Sequence, residues 1–60
     1  MMTFDIYIGG RDVVRVSGIE ATAKAWKQAK DFANTVDLNA ILVDIETGEI
    51  VEDNWELSKN

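Results

Sequence analysis

Four short stretches of the chain carry the pattern of strands, and one longer stretch repeats with a helical period. TFDIYI puts Phe4, Ile6 and Ile8 on one side and Thr3, Asp5 and Tyr7 on the other, as a half-buried strand does. Gly9-Gly10 follows as a turn with Arg11-Asp12 at its tip. DVVRVS then reads as a second strand, with Val14 and Val16 on one face and Val13 and Arg15 on the other. A short Gly-rich link of this kind joins antiparallel neighbours, so the two strands form a hairpin. Ser17-Gly18-Ile19-Glu20 has the form of a capping box, and the helix it starts runs to about Val36. The apolar positions Ile19, Ala23, Ala25, Trp26, Ala29, Phe32, Ala33 and Val36 fill about half of its wheel. Trp26 and Phe32 carry most of the volume, while the alanines let the helix backbone approach a sheet closely. AILVDI and EIVE form a second hairpin around Thr47-Gly48, where Gly can take a positive φ. Two registers are open: Val43 pairs with Val51 if Ile45 closes the turn, and with Ile50 if Asp44 closes it. A one-residue slip flips every side chain to the other face.

The element order is therefore strand, strand, helix, strand, strand. It predicts an α+β fold, ββαββ, with a four-stranded, mostly antiparallel sheet and one helix packed on one face. At 60 residues the chain, 1–60, is a single domain. A core of this size supplies only about 3–5 kcal/mol. No staple supplements it: the sequence has no Cys and no His, so neither a disulfide nor the usual metal-ligand set is available. Burial against another chain is the remaining route, and a homodimer is expected. One helix covers one sheet face. The other face is left with Tyr7, Val13 and either Leu42 with Val51 or Ile41, Val43 and Ile50. Tyr7, Val13, Leu42 and Val51 are taken as the dimer face, the C-terminal NWEL folding back being the alternative cover.

Charge changes this picture at one place. The net charge is −5, but residues 1–43 hold five acids and five bases. Residues 44–56 hold six acids, Asp44, Glu46, Glu49, Glu52, Asp53 and Glu56, and no base. An acidic chain is a poor ligand for nucleic-acid phosphates, whose binding depends on Lys and Arg, so no direct nucleic-acid contact is expected. No apolar run is long enough to span a membrane. MMTFDIYIGG lacks a basic n-region and so is no signal peptide, which makes the cytoplasm the expected compartment.

Three chemistries come into question, two of them in the acidic stretch. Asp44-x-Glu46-x-Gly48 opens like a calcium loop, but Gly48 and Glu49 then fall where an oxygen ligand and Gly are required, and Trp55 falls where a bidentate Glu is required. No metal and no cofactor are expected. Carboxylate pairs such as Glu49 with Glu52 lack a cleft to work in, so no catalytic residue is assigned and the chain is read as no enzyme. Gly9-Gly10 continues into a strand and not a helix, so it is a turn and no phosphate loop. Lys24, Lys27 and Lys30 make a basic strip along one helix flank, and Trp55 is either a lid on the sheet or a partner anchor.

The run LVDIETGEIVED, together with the strand-strand-helix pattern from Phe4 to Asp53, resembles the small acidic ββαββ proteins common among bacteriophage open reading frames. The resemblance implies an inhibitor of host defence or of a host nucleic-acid enzyme, acting in the host cytoplasm, and transfers no residue roles. Combined with the charge map, it predicts a module that docks a basic protein surface through Asp44, Glu46, Glu49, Glu52, Asp53, Trp55 and Glu56.

Overall fold

A computed structural model describes residues 2–55. The chain forms strands β1 (Thr3–Ile8) and β2 (Arg11–Ser17), helix α1 (Ile19–Thr35), and strands β3 (Ala40–Asp44) and β4 (Ile50–Asp53). The sheet order is β2-β1-β3-β4 and all three pairings are antiparallel. The fold is the ββαββ, α+β architecture that the periodicity predicts. Because β2 and β3 both flank β1, the β2–α1–β3 connection passes over β1, and α1 lies across β1, β2 and β3.

The helix-facing side holds the core: Phe4, Ile6, Trp26, Ala29, Ala33, Ala40 and Leu42 are buried, with Ile8, Val16 and Ala25 packed at its margin. Small side chains at Ala29, Ala33 and Ala40 bring helix and sheet close, and Trp26 fills the remaining width. Four of the eight apolar positions assigned to the helix are exposed: Ile19, Ala23, Phe32 and Val36. Phe32 is 55% exposed because its position lies about 90° of helical phase off the line through Thr22, Trp26, Ala29 and Ala33.

The helix ends differ from the predicted ones as well. No capping box forms: Gly18 is the N-cap at φ 89° with no side-chain cap, and the Ser17 hydroxyl bonds the Thr3 hydroxyl across the β1–β2 pair at 3.0 Å. At the other end the Leu38 amide donates to the Ala33 carbonyl at 2.8 Å while Asp37 takes φ 63°, a left-handed stop more often occupied by Gly.

Both hairpins contain a β-bulge. In the first, the turn is Gly9-Gly10 alone, with both φ positive, and Arg11 already pairs with Ile8. Arg11-Asp12 is thus in the strand and not at the tip. The register shifts between Ile6 and Tyr7, which leaves Val13 as the extra residue. In the second, Asp44 closes the turn through Asp44 N–H to the Glu49 carbonyl at 2.9 Å, so Val43 pairs with Ile50. A shift between Leu42 and Val43 then leaves Val51 unpaired and sets Glu52 opposite Leu42. Each bulge adds one residue, bends its strand and re-aims the side chains beyond it.

Candidate interaction surfaces

The uncovered sheet face can now be assigned by register. Asp5 lies between Arg15 and Val43, and Tyr7 between Asp12 and Ile41. Asp53 stands beside Ile41, and Ile50 beside Val43. Of the expected dimer face, Tyr7 belongs here, and Val13 and Val51 are the bulge residues at its two margins. Leu42 does not belong: it is buried against the helix side, because the β1–β3 register sets it opposite the buried Ile6 and sets Ile41 and Val43 opposite Tyr7 and Asp5 on the open face.

An ion pair occupies the middle of this face. Asp5 is only 4% exposed, and the Arg15 guanidinium grips both its oxygens at 2.7 and 3.1 Å. Such a fork fixes geometry as well as charge. The Arg15 guanidinium holds the Asp5 carboxyl below its ordinary value, against an opposing push from burial. Asp12 is pushed up, first by desolvation and then by its hydrogen bond to Asp5 and by the Asp5 charge. Asp5 therefore contributes stability that is complete above its ordinary value of 3.8 and is lost as pH falls through the lowered one. Asp12 acts with the opposite sign, favouring the fold below 3.8 and losing that contribution as pH rises through its raised value. Arg15→Met is accordingly expected to lower the urea midpoint most near neutrality, with the gap from wild type closing below pH 3.8. A gap that stayed constant across that range would show that the pair adds no pH-linked stability.

The acidic stretch is divided by the fold. Asp44 Oδ1 accepts the Glu46 amide at 2.9 Å, Thr47 Oγ1 accepts the Glu49 amide at 3.2 Å, and Asp53 Oδ1 accepts the Trp55 amide at 2.8 Å. Asp44 and Asp53 thus shape turns. Glu46 and Glu49 project from the exposed loop between β3 and β4. Glu52 faces the helix side, whereas Asp53 faces the open side. The five described acids are not one row; they surround one edge of the molecule. Beside them Ile50 and Val51 are 60% and 51% exposed. Trp55 is half exposed, and Glu56 lies outside the described residues.

Between α1 and the β3–β4 side runs a groove of about 360 Å³ with Phe4, Trp26 and Leu42 in its floor and Lys27, Lys30 and Glu52 on its rim. Lys30 Nζ sits 5.8 Å from the Trp26 ring centre, and Lys27 pairs with Asp31 at 3.7 Å, so two of the three helix lysines have partners within the helix. Among the described residues no group of three acidic, His or Cys side chains is placed to hold a metal ion, and no helix is long and apolar enough to cross a membrane.

Two features escaped the sequence reading. One is the Asp5–Arg15 pair: a bulge-free Gly9-Gly10 hairpin would set Asp5 opposite Val14, and no local signal marks the bulge. The other is Asn54, which ties the end of β4 to the helix exit. Comparison with known protein families, with curated proteins and with solved structures finds no match for this chain.

Proposed function

We propose that this chain is a non-catalytic binding module that docks a basic surface of a larger protein through its β3–β4 edge. One observation supports the reading above the others: five of the six acids that carry the charge excess of the sequence lie at one sheet edge, next to the exposed Ile50 and Val51. Acids around an apolar centre suit a partner surface of the same layout with lysine or arginine at its rim. Complementary charge of this sort raises association rates by about 10- to 1000-fold at low salt and loses the effect as salt rises. A nucleic-acid groove on an enzyme is such a surface, and blocking it would make the chain an inhibitor of the kind bacteriophages carry into a host cytoplasm.

The experiment is affinity capture from bacterial lysate at low and high salt with wild type and with the triple reversal Glu49→Lys, Glu52→Lys and Asp53→Lys. The reading expects one major partner, whose association is slowed roughly 100-fold by the reversal and is weakened by salt in wild type alone. A partner that binds the reversed chain equally well would defeat it.

A further inference from the structure

The groove beside α1 holds a feature that the acidic docking edge does not use. Among the described residues two buried side-chain polar atoms lack a hydrogen-bond partner, Thr22 Oγ1 and Trp26 Nε1. Both side chains line this groove, and both residues are more than nine-tenths buried, at 6% and 4% exposure. Buried polar atoms are nearly always bonded, so two orphans in one place ask for a partner. Thr22 has one within reach that it leaves alone. A helical threonine hydroxyl commonly bonds the carbonyl four residues back, as Thr35 Oγ1 does to the Asp31 carbonyl at 2.9 Å. In the same helix only the amide of Thr22 bonds the Gly18 carbonyl, at 3.0 Å.

The chemistry of a common partner is narrow. An indole N–H donates and cannot accept, while a hydroxyl does either. The partner is therefore an acceptor oxygen, and an ammonium is excluded at Nε1. Thr22 and Trp26 are four residues apart and so are neighbours on one helix face, where a single group with two oxygens can serve both. Charge narrows the choice further. Lys27 and Lys30 stand on the rim against one acid, Glu52, a local positive excess on a chain of net charge −5. Lys27 is held only by an exposed pair with Asp31 at 3.7 Å, and such pairs contribute little. The rest of the lining, with the Trp26 ring, is apolar: Phe4, Ile19, Ala23 and Leu42. The volume of about 360 Å³ lies at the small end of ligand sites, which run from roughly 300 to 1,000 Å³.

We propose that this groove binds a small apolar carboxylate, a free acid with an aliphatic or aromatic body. The body lies on Phe4, Leu42 and the Trp26 ring. The carboxylate oxygens accept from Trp26 Nε1 and the Thr22 hydroxyl, and the Lys27 and Lys30 ammonium groups offset its charge. In the free chain Lys30 Nζ lies 5.8 Å from the Trp26 ring centre. Binding draws it off the ring toward the carboxylate, which opens the way to Nε1; a cation–π contact is weak enough to give way to a charge pair. Glu52 is the one residue shared with the docking edge, and its two roles have opposite signs. It repels an anion in the groove and attracts a basic partner at the edge.

The test is titration of the full chain with octanoate, followed by NMR of the two indole N–H groups and by calorimetry. The Trp26 indole resonance is expected to move downfield saturably, in the millimolar range usual for so small a ligand, while that of Trp55 stays. Octylamine, with the same apolar chain and the opposite charge, should leave Trp26 unmoved. Thr22→Val keeps the shape of the side chain and removes the hydroxyl, and Trp26→Phe removes the indole donor. Each is expected to weaken octanoate roughly tenfold, and Glu52→Gln to tighten it. A Trp26 indole that ignores octanoate would overturn the proposal. So would equal shifts with octylamine, or unchanged octanoate binding in Thr22→Val. Contacts of Trp26 with the chain's own Leu57 or with a second copy, seen without added acid, would give the groove to a protein occupant and equally overturn it.

Discussion

Replacing Trp26 by Ala is expected to leave the chain largely unfolded in water. Trp26 is 4% exposed and contacts the sheet from the middle of α1. The other buried helix residues are Thr22, Ala29 and Ala33, none large enough to fill the space it would leave. Deleting a buried aromatic side chain costs about 3–5 kcal/mol, and a domain of this size has only about that much in total. The conservative change should be milder for a specific reason. Trp26 Nε1 has no hydrogen-bond partner among the described residues, so Trp26→Phe removes volume without breaking a bond. Urea titration followed by circular dichroism decides the matter. A cooperative transition for Trp26→Ala at the wild-type midpoint would mean that the helix is not held by this residue.

Asn54→Ala is expected to cost about 3 kcal/mol and to release β4. The Asn54 side chain uses its full bonding capacity. Its Oδ1 accepts the Ala40 amide at 2.8 Å and the Asn39 amide group at 3.2 Å. Its Nδ2 donates to the Leu38 carbonyl at 2.9 Å and to Asn34 Oδ1 at 2.8 Å. One residue thus joins the end of β4, the start of β3 and the helix exit. Each bond is worth roughly 0.5–1.5 kcal/mol net, and the fully buried Ala40 would keep an amide with no partner, which raises the cost. Hydrogen exchange should show loss of protection across β3 and β4 before β1 and β2. A loss below about 0.5 kcal/mol, the range of ordinary surface substitutions, would rule out this role. The same variant bears on binding, since the hairpin that Asn54 anchors carries the acids. Weaker partner capture at unchanged net charge would show that a rigid β4 edge, and not charge alone, is what docks.

The five elements were legible because their signals are local. Alternation in TFDIYI, three-four spacing from Ile19 to Val36 and glycines at the turns each act within a few residues, and all agree on one topology. Phe32 was misread because the apolar arc of α1 is wider than the sheet contact, and only the seating of the helix on β1 decides which edge of the arc is buried. Ser17 was misread because its hydroxyl had two uses, cap or cross-strand bond, and the proximity of Thr3 favoured the second. The acidic stretch was legible as a charge concentration but not as a shape. Its acids divide between turn-forming roles, the open face and the helix side according to a register that the sequence left open.

The sequence by itself therefore determined the ββαββ order, the single small core and the location of the negative charge. These depend on periodicity, length and composition, which need no third dimension. The tertiary structure decided the faces. The bulges at Val13 and Val51 each add one residue to a ladder of period two, and so choose which side chains meet. They set Arg15 against Asp5 and Glu52 beside Leu42, which its pairing with Ile6 turns into the core. A bulge is set by the twist and closure of the whole sheet, a non-local energy that no window of residues contains.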